Sequence, residues 1–296
     1  MQLTAIAWNL FHGRDFPPDP ALYSWRSRLG RRSERGATHI QVNHDLEEEF
    51  ASILAFAEWD VALLQEAPPR FKAPLAAACE AQAHRVLTSR NQLGWLRGAA
   101  ARLNPDLIAS AEGGSNLTLV RPRGDRRPGA PHTSQGERPE GRSEGPGGIV
   151  ERRELTIHRG SPERRAMALT RTAGGLCIAN LHATNDAPEL AAEDVLAAAR
   201  GASEWAGERP LLFGGDLNLR PGESPEVFEQ LGERFGLAAP TAAGAIDHLL
   251  ARGLHTVEPP TRWPPQRREL RQGGLALRLS DHSPLQARFA TGEQRE

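Results

Sequence analysis

Short apolar runs that stop abruptly on a polar side chain recur along this chain, and they restrict it to a layered fold built on sheets. The barest is Val61-Ala62-Leu63-Leu64, which ends at Gln65-Glu66. Four consecutive apolar residues are too few for a helix and leave no polar face, so they suit a strand covered on both sides. Leu211-Leu212-Phe213 runs in the same way into Gly214-Gly215-Asp216-Leu217-Asn218. In an extended strand residues i and i+2 share a face, which sets Asp216 and Asn218 on one side at the strand's end. The two glycines let a neighbouring backbone or a phosphate come close.

Helical patterns lie between these runs. Leu46, Phe50, Ile53, Leu54 and Ala57 recur at helical spacing after Asn43 and Asp45, both good caps, so a helix is expected to begin there. Further helices are expected over 70–83, 188–205, where Pro188 suits a first turn, and 224–235. Strands are expected over 3–8, 61–64, 93–96, 117–120, 166–170, 176–181, 211–216, 245–250, 275–279 and 285–289, the last two as a closing pair. Strands alternating with helices, with some hairpin-like pairs, define an α/β or α+β chain with a mixed sheet. Residues 14–43 read as irregular and Arg-rich. Residues 121–153 hold Pro122, Pro128, Pro131, Pro139 and Pro146 with many glycines and mixed charge, so they read as a disordered insertion within a single domain spanning 1–296.

Composition removes several classes. The 36 Lys+Arg and 37 Asp+Glu nearly cancel, so net charge alone gives no case for nucleic acid. Lys72 is the only lysine, and the arginine excess fits a GC-rich genome as well as it fits phosphate binding. Cys79 and Cys177 match no metal spacing and read as buried free thiols. No run of about 18 apolar residues offers a membrane span, and the first residues lack a signal-peptide pattern, so a cytoplasmic chain, monomeric by default, is the expectation.

The polar strand ends form a set: Asn9 after Ile6-Ala7-Trp8, Glu66 after Gln65, Asn180-Leu181-His182, Asp216-Leu217-Asn218, Ile246-Asp247-His248, and Ser280-Asp281-His282-Ser283-Pro284. Ligand sites gather at strand ends, where loops vary over a rigid base. Carboxylate oxygens suit Mg2+ or Mn2+ rather than zinc. Such an ion beside imidazoles can neutralise a phosphoryl oxygen and activate water. Taken singly each site has a plain structural reading: an exposed strand terminus for Glu66, a core histidine for His182, a helix cap for Asp216, solvated loop pairs for Asp247-His248 and Asp281-His282. Their ordered occurrence in one chain points to hydrolysis of a phosphate ester.

In that order the residues resemble the endonuclease/exonuclease/phosphatase superfamily, which includes deoxyribonuclease I, abasic-site endonucleases, neutral sphingomyelinases and inositol polyphosphate phosphatases. The resemblance runs from Trp8-Asn9-Leu10 to Ser280-Asp281-His282, and Leu64-Gln65-Glu66, Gly215-Asp216-Leu217-Asn218 and Ser280-Asp281-His282 carry most of it. It implies a four-layer α/β sandwich, two mixed sheets face to face with helices outside. It implies that Glu66 holds Mg2+ or Mn2+ with Asn9 and Asp281 near it, and that Asp216 and Asn218 position water and the scissile phosphate. It also implies that Asp247 orients His282 and that His182 binds phosphate or protonates the leaving oxygen. Arg165 and Asn116 resemble the arginine before the histidine strand and a glycine/asparagine turn of that superfamily; with Asn185 and Trp263 they are the candidates for substrate contact. Phe11 stands where abasic-site endonucleases carry an acid, and His182 where they carry a tyrosine, which disfavours that branch. His12 reads either as a ligand contact or as a turn residue before Gly13.

Two loops are candidates for specificity, 14–43 with Tyr23, Trp25, Arg26, Arg28, Arg31, Arg32 and Arg35, and 259–274 with Arg262, Trp263, Arg267, Arg268 and Arg271. Arginine interleaved with aromatics can track a nucleic-acid strand, and both can also be ordinary solvated loops. The expected activity is a divalent-metal phosphodiesterase of nuclease type, with DNA or RNA among its candidate partners. Phosphomonoester or lipid phosphodiester hydrolysis is the alternative, and an inactive binding module is a third.

Overall fold

The computed structural model describes residues 2–88, 98, 100, 102–106, 113–122, 145–158, 164–239 and 241–291. In chain order the strands are β1 (Gln2–Asn9), β2 (Glu34–Arg35), β3 (Ile40–Gln41), β4 (Val61–Gln65), β5 (Gln82–Leu87), β6 (Ser115–Val120), β7 (Ile149–His158), β8 (Arg165–Thr172), β9 (Cys177–His182), β10 (Leu211–Asp216), β11 (Asp247–Arg252), β12 (His255–Arg262), β13 (Glu269–Gln272), β14 (Leu275–Arg278) and β15 (Leu285–Ala290). The α-helices described from end to end are α1 (Trp25–Gly30), α2 (Glu47–Phe56), α3 (Lys72–Ala78), α4 (Pro188–Ala206) and α5 (Pro225–Phe235).

Two mixed sheets form the centre. One has six strands in the order β12-β15-β1-β4-β6-β5, the other five in the order β11-β10-β9-β8-β7. Within them β1 pairs parallel with β4 and β10 parallel with β9, and the other neighbours are antiparallel. Alternation explains the layers. Leu3, Ala5 and Ala7 of β1 join Val61 and Leu63 of β4 in a buried cluster with Ile178, Leu212 and Leu249 of the opposite sheet. Ile6, Trp8, Ala62 and Leu64 point the other way, onto Phe50 and Leu54 of α2 and Leu75 of α3. Neither face of β4 meets water, which is why its sequence is apolar without a break. On the far side Leu211 and Phe213 of β10 and Ala179 of β9 pack on Val195, Ala198, Ala199 and Ala202 of α4 and Leu231 of α5. Alanine at helical spacing lets α4 lie close to the sheet. The result is four layers: helices, sheet, sheet, helices, as the resemblance implies.

Several local expectations are corrected. Helix α2 starts at Glu47, not near Asn43 or Asp45, and its N-cap Leu46 makes no side-chain cap. The Asn43 amide donates to Ser27 O and Asn104 Oδ1, and Asp45 is drawn to Arg70 at 2.9 Å. Glu47, Glu48 and Glu49 in the first turn favour the helix start through its dipole instead. Helix α3 stops at Ala78, and β5 occupies 82–87, because Glu80 takes a left-handed φ of 50° that turns the chain back. Within 14–43 lies α1, capped by Ser24. Strand β7 begins at Ile149, inside the segment read as an insertion; 123–144 and the 93–96 strand expectation lie outside the described residues. Half of the 259–274 loop is strand, from β12 and β13. Pro259 and Pro260 hid β12, which tolerates them because it is the edge of its sheet and is bulged there. Strands β14 and β15 do not pair with each other; β14 pairs with β13, and β15 lies between β12 and β1. Cys79 and Cys177 are buried free thiols. No helix among the described residues is long and apolar enough to cross a membrane.

Candidate active site

Strand register gathers the polar strand ends. Asp216, last residue of β10, pairs with His182 of β9 on one side and with Asp247 of β11 on the other. In the facing sheet Asn9, the end of β1, pairs with Gln65, the end of β4, and Glu66 follows it. Side-chain bonds cross between the sheets at this rim, among them Asn9 Nδ2 donating to Asp216 Oδ2 at 2.9 Å and Gln65 Nε2 donating to Asn180 Oδ1 at 2.7 Å. The pairing of β10 with its neighbours β9 and β11 at this rim needs the glycines. A Cβ at Gly215, whose φ is +125°, would strike Leu181 O and press on Gln65 Nε2, and one at Gly214 would strike His248 O. Gly215→Ala is therefore expected to destabilise the fold by about 2–4 kcal/mol, read as a lowered urea midpoint at unchanged slope. An unchanged midpoint would show that β10 can shift against β9 here without cost.

The loop carrying His282 is tied to β1. Ser280, itself at a left-handed φ of 58°, donates its hydroxyl to Asn9 O and accepts from His282 N at 3.0 Å. The Trp8 indole donates to His282 O at 3.0 Å. His282 Nδ1 then lies 3.1 Å from both carboxylate oxygens of Asp247. Donation from Nδ1 leaves Nε2 as the working nitrogen, 3.8 Å from Asp216 Oδ2. His182 presents its Nε2 to the same oxygen at 3.7 Å. The two imidazoles have opposite charge preferences. Burial holds His182 at about 4, against the pull of Glu66 and with Arg165 pushing the same way as burial, so it is neutral. Burial also acts to lower His282, but the hydrogen bond and charge of Asp247, with Asp216 and Asp281, raise it well above the usual histidine range. Asp216 is raised by burial and by Asp247, against His282.

Glu66 stands apart on the other flank. It has a left-handed φ of 47°, and its carboxylate lies 3.2 Å from His12 Nε2 and 3.9 Å from His182 Nε2. Burial works to raise its pKa, but His12, His182 and the Asn9 amide lower it on balance, so Glu66 is an anion. Asp281 is exposed beside it, near enough for the two charges to repel. An anionic carboxylate whose ion-pair partners among the described residues are imidazoles, next to a second carboxylate and an amide, is an oxygen-rich donor set that fits a hard divalent cation. A separate group of potential ligand atoms, from Asp216, Asp247 and His282, lies within 4.8 Å of one another.

The remaining expected residues divide. Asn218, at a left-handed φ of 52°, donates its amide to Ala183 O at 3.1 Å and its backbone N–H to Asp216 Oδ1. It thus fixes the turn that presents Asp216. Asn116 is fully buried and donates to Ala166 O at 2.9 Å, joining the sheets beneath the site. Arg165 is buried at the start of β8, near enough to His182 to influence its charge. Asn185 is exposed on the turn after His182, a turn held where Asp194 accepts from the Thr184 N–H and hydroxyl. Trp263 is a correction. It is buried within the cluster of Trp8 and Leu279, its indole donates to Gln286, and Arg267 covers it, so it supports the loop from below and offers no face to a substrate. His248, next to Asp247, is likewise internal, bonded to Leu219 O and Thr241. Sequence reasoning left His12 between two roles and gave Ser280 and Trp8 none. Only the left-handed turn and the loop tethers, which have no sequence signature, bring them in.

Sheet order, the four layers and the rim of carboxylates and histidines define the fold of the endonuclease/exonuclease/phosphatase proteins, and this chain has that fold. Among solved structures it is similar to an endonuclease/exonuclease/phosphatase family protein from Bacteroides thetaiotaomicron, with 12% identity, TM-score 0.59 and 99% of each chain covered. It is also similar to a mannosyl-6-phosphatase from the same organism, with 13% identity, TM-score 0.56 and coverage of 97% of this chain and 99% of that one. A third is D. rerio TDP2 complexed with a single-strand DNA product, with 14% identity, TM-score 0.52 and coverage of 98% and 99%. No protein-family profile and no curated protein sequence matches the chain.

Proposed function

We propose that this chain is a divalent-cation-dependent phosphodiesterase of nuclease type. The observation that carries the reading is the convergence of the two Nε2 atoms of His182 and His282 on one oxygen of Asp216, at 3.7 and 3.8 Å, beside the Glu66 carboxylate. A phosphate diester seated between the imidazoles meets a neutral donor on one side and a cationic one on the other. Asp216, with Oδ2 held by Asn9 and Oδ1 by the Asn218 N–H, is fixed to orient water and accept its proton. Asp247 holds His282 in the orientation that turns Nε2 to the phosphate. Glu66, Asn9 and Asp281 would hold Mg2+ or Mn2+, which supplies charge neutralisation at a phosphoryl oxygen.

A diester of nucleic-acid type is favoured by the segment beside the His282 loop. Ser280 N donates to Arg14 O and Asp15 bridges to Leu279, so residues 14–16 run along that loop. Phe11 meets Phe16 edge-on at 5.7 Å, Phe16 meets Tyr23 at 6.5 Å, and Arg14 lies 3.8 Å over Phe11. Phe16 and Trp25 are 42% and 66% exposed, which leaves aromatic faces for bases next to arginines for phosphates. The fold shared with the mannosyl-6-phosphatase supports a phosphomonoesterase as the second reading.

The test is a panel with and without EDTA: supercoiled plasmid, single-stranded DNA, RNA, bis-p-nitrophenyl phosphate, inositol phosphates, a sugar phosphate and sphingomyelin. EDTA-sensitive cleavage of a nucleic acid or of bis-p-nitrophenyl phosphate is expected. Cleavage of the monoesters alone would select the second reading, and cleavage of sphingomyelin alone a lipid phosphodiesterase. No turnover in any arm would leave a binding module.

A further inference from the structure

After Leu10 the backbone leaves β1 through three consecutive left-handed residues, Phe11 (φ 49°), His12 (φ 53°) and Gly13 (φ 75°). Two of these carry side chains, for which the left-handed region is strained. Gly13 has no room for another residue, since a Cβ there would lie 2.7 Å from the Phe71 ring. Two contacts result from the turn. The Phe11 N–H donates to Asn9 Oδ1 at 2.9 Å, which fixes the amide that reaches Asp216. His12 swings back over the rim, with Nε2 3.2 Å from Glu66 Oε2 and its side chain 18% exposed.

That separation is what two neighbouring donors on one octahedral cation show, about 3 Å when each lies about 2.1 Å from the ion. An imidazole nitrogen favours transition metals over Mg2+, which takes oxygen. Resting on the divalent-cation reading above, we propose that His12 joins Glu66 as a nitrogen ligand and makes the site selective for Mn2+ over Mg2+. The strained turn is then the device that brings a nitrogen donor into an otherwise oxygen-lined site.

The test is equilibrium binding of Mn2+ and of Mg2+ to the full chain without substrate, by calorimetry, with pulsed electron paramagnetic resonance on the Mn2+-loaded chain. His12→Asn tolerates the left-handed backbone but is too short to reach Glu66. His12→Gln keeps an N–H for Glu66 but has no imidazole. Both are checked for folding by circular dichroism and melting temperature. The wild-type chain is expected to bind Mn2+ at least about tenfold more tightly than Mg2+ and to show nitrogen hyperfine coupling. Both variants are expected to lose about tenfold in Mn2+ affinity, with Mg2+ affinity within about threefold and the coupling weakened. If His12→Gln keeps the wild-type Mn2+ to Mg2+ ratio and coupling, His12 only donates a hydrogen bond and the proposal is overturned, while the phosphoesterase reading stands. Wild-type chain that binds neither ion would overturn the cation reading itself.

Discussion

His282→Ala is expected to lower kcat/KM on a phosphodiester by roughly 10³-fold or more, the upper part of the range for a positioned acid–base or charge-stabilising group. The size follows from how much of the site converges on this ring. Its Nδ1 is committed to Asp247, its backbone is held by Ser280 and Trp8, and its Nε2 is the cationic donor facing Asp216. Truncation also leaves Asp247, 2% exposed, without its imidazole. Stability is therefore measured beside rate, and His282→Gln, which returns an N–H toward Asp247, separates the two effects. If His282→Gln restores the melting temperature but not the rate, the ring acts on the substrate. If it restores both, the ring is structural. Asp247→Asn should fall between, at roughly 10²-fold, because it leaves the ring present but removes the charge that orients it and keeps it cationic. Wild-type kcat/KM in His282→Ala would remove the ring from the mechanism.

Glu66→Gln is expected to abolish EDTA-sensitive turnover, at least roughly 10³-fold, together with binding of both Mg2+ and Mn2+. The change preserves volume and removes only the charge. The ion pairs of Glu66 among the described residues are with the imidazoles of His12 and His182, not with a lysine or arginine, so the change costs only those two contacts. The melting temperature should therefore fall little. Loss of turnover with both ions still bound would place the cation elsewhere, and the group of Asp216, Asp247 and His282 is the alternative locus.

The pattern legible in the sequence was that of buried strands. β4, β9 and β10 are covered on both faces, so their apolar runs have sharp ends, and the ends are the candidate site residues. Elements decided by context were not legible. β12 contains Pro259 and Pro260 and forms because it lies on an edge; β5 follows a left-handed turn at Glu80 that a helical reading runs through. The site divides in the same way. Asp216, His182, Asp247 and His282 stand at strand ends or in a loop beside them. Trp263 looked available because its loop is rich in arginine, yet tryptophan beside an edge strand found an apolar cluster and a glutamine instead. His12 depends on positive φ at Phe11 and at His12 itself, which neither residue type signals, and Gly13 marks only that a turn is there.

The pairing of β1 with β15 has a consequence for the order of folding. Gln2 stands opposite Ala290, so β1 gains one of its two neighbours only when a strand far along the sequence has docked. Asn9 likewise reaches across 207 residues to Asp216. Such distant closures are slow to form. The Ser280 and Trp8 tethers that seat His282 also run to β1, so the histidine and the carboxylates of the rim come together only as the two sheets close on each other.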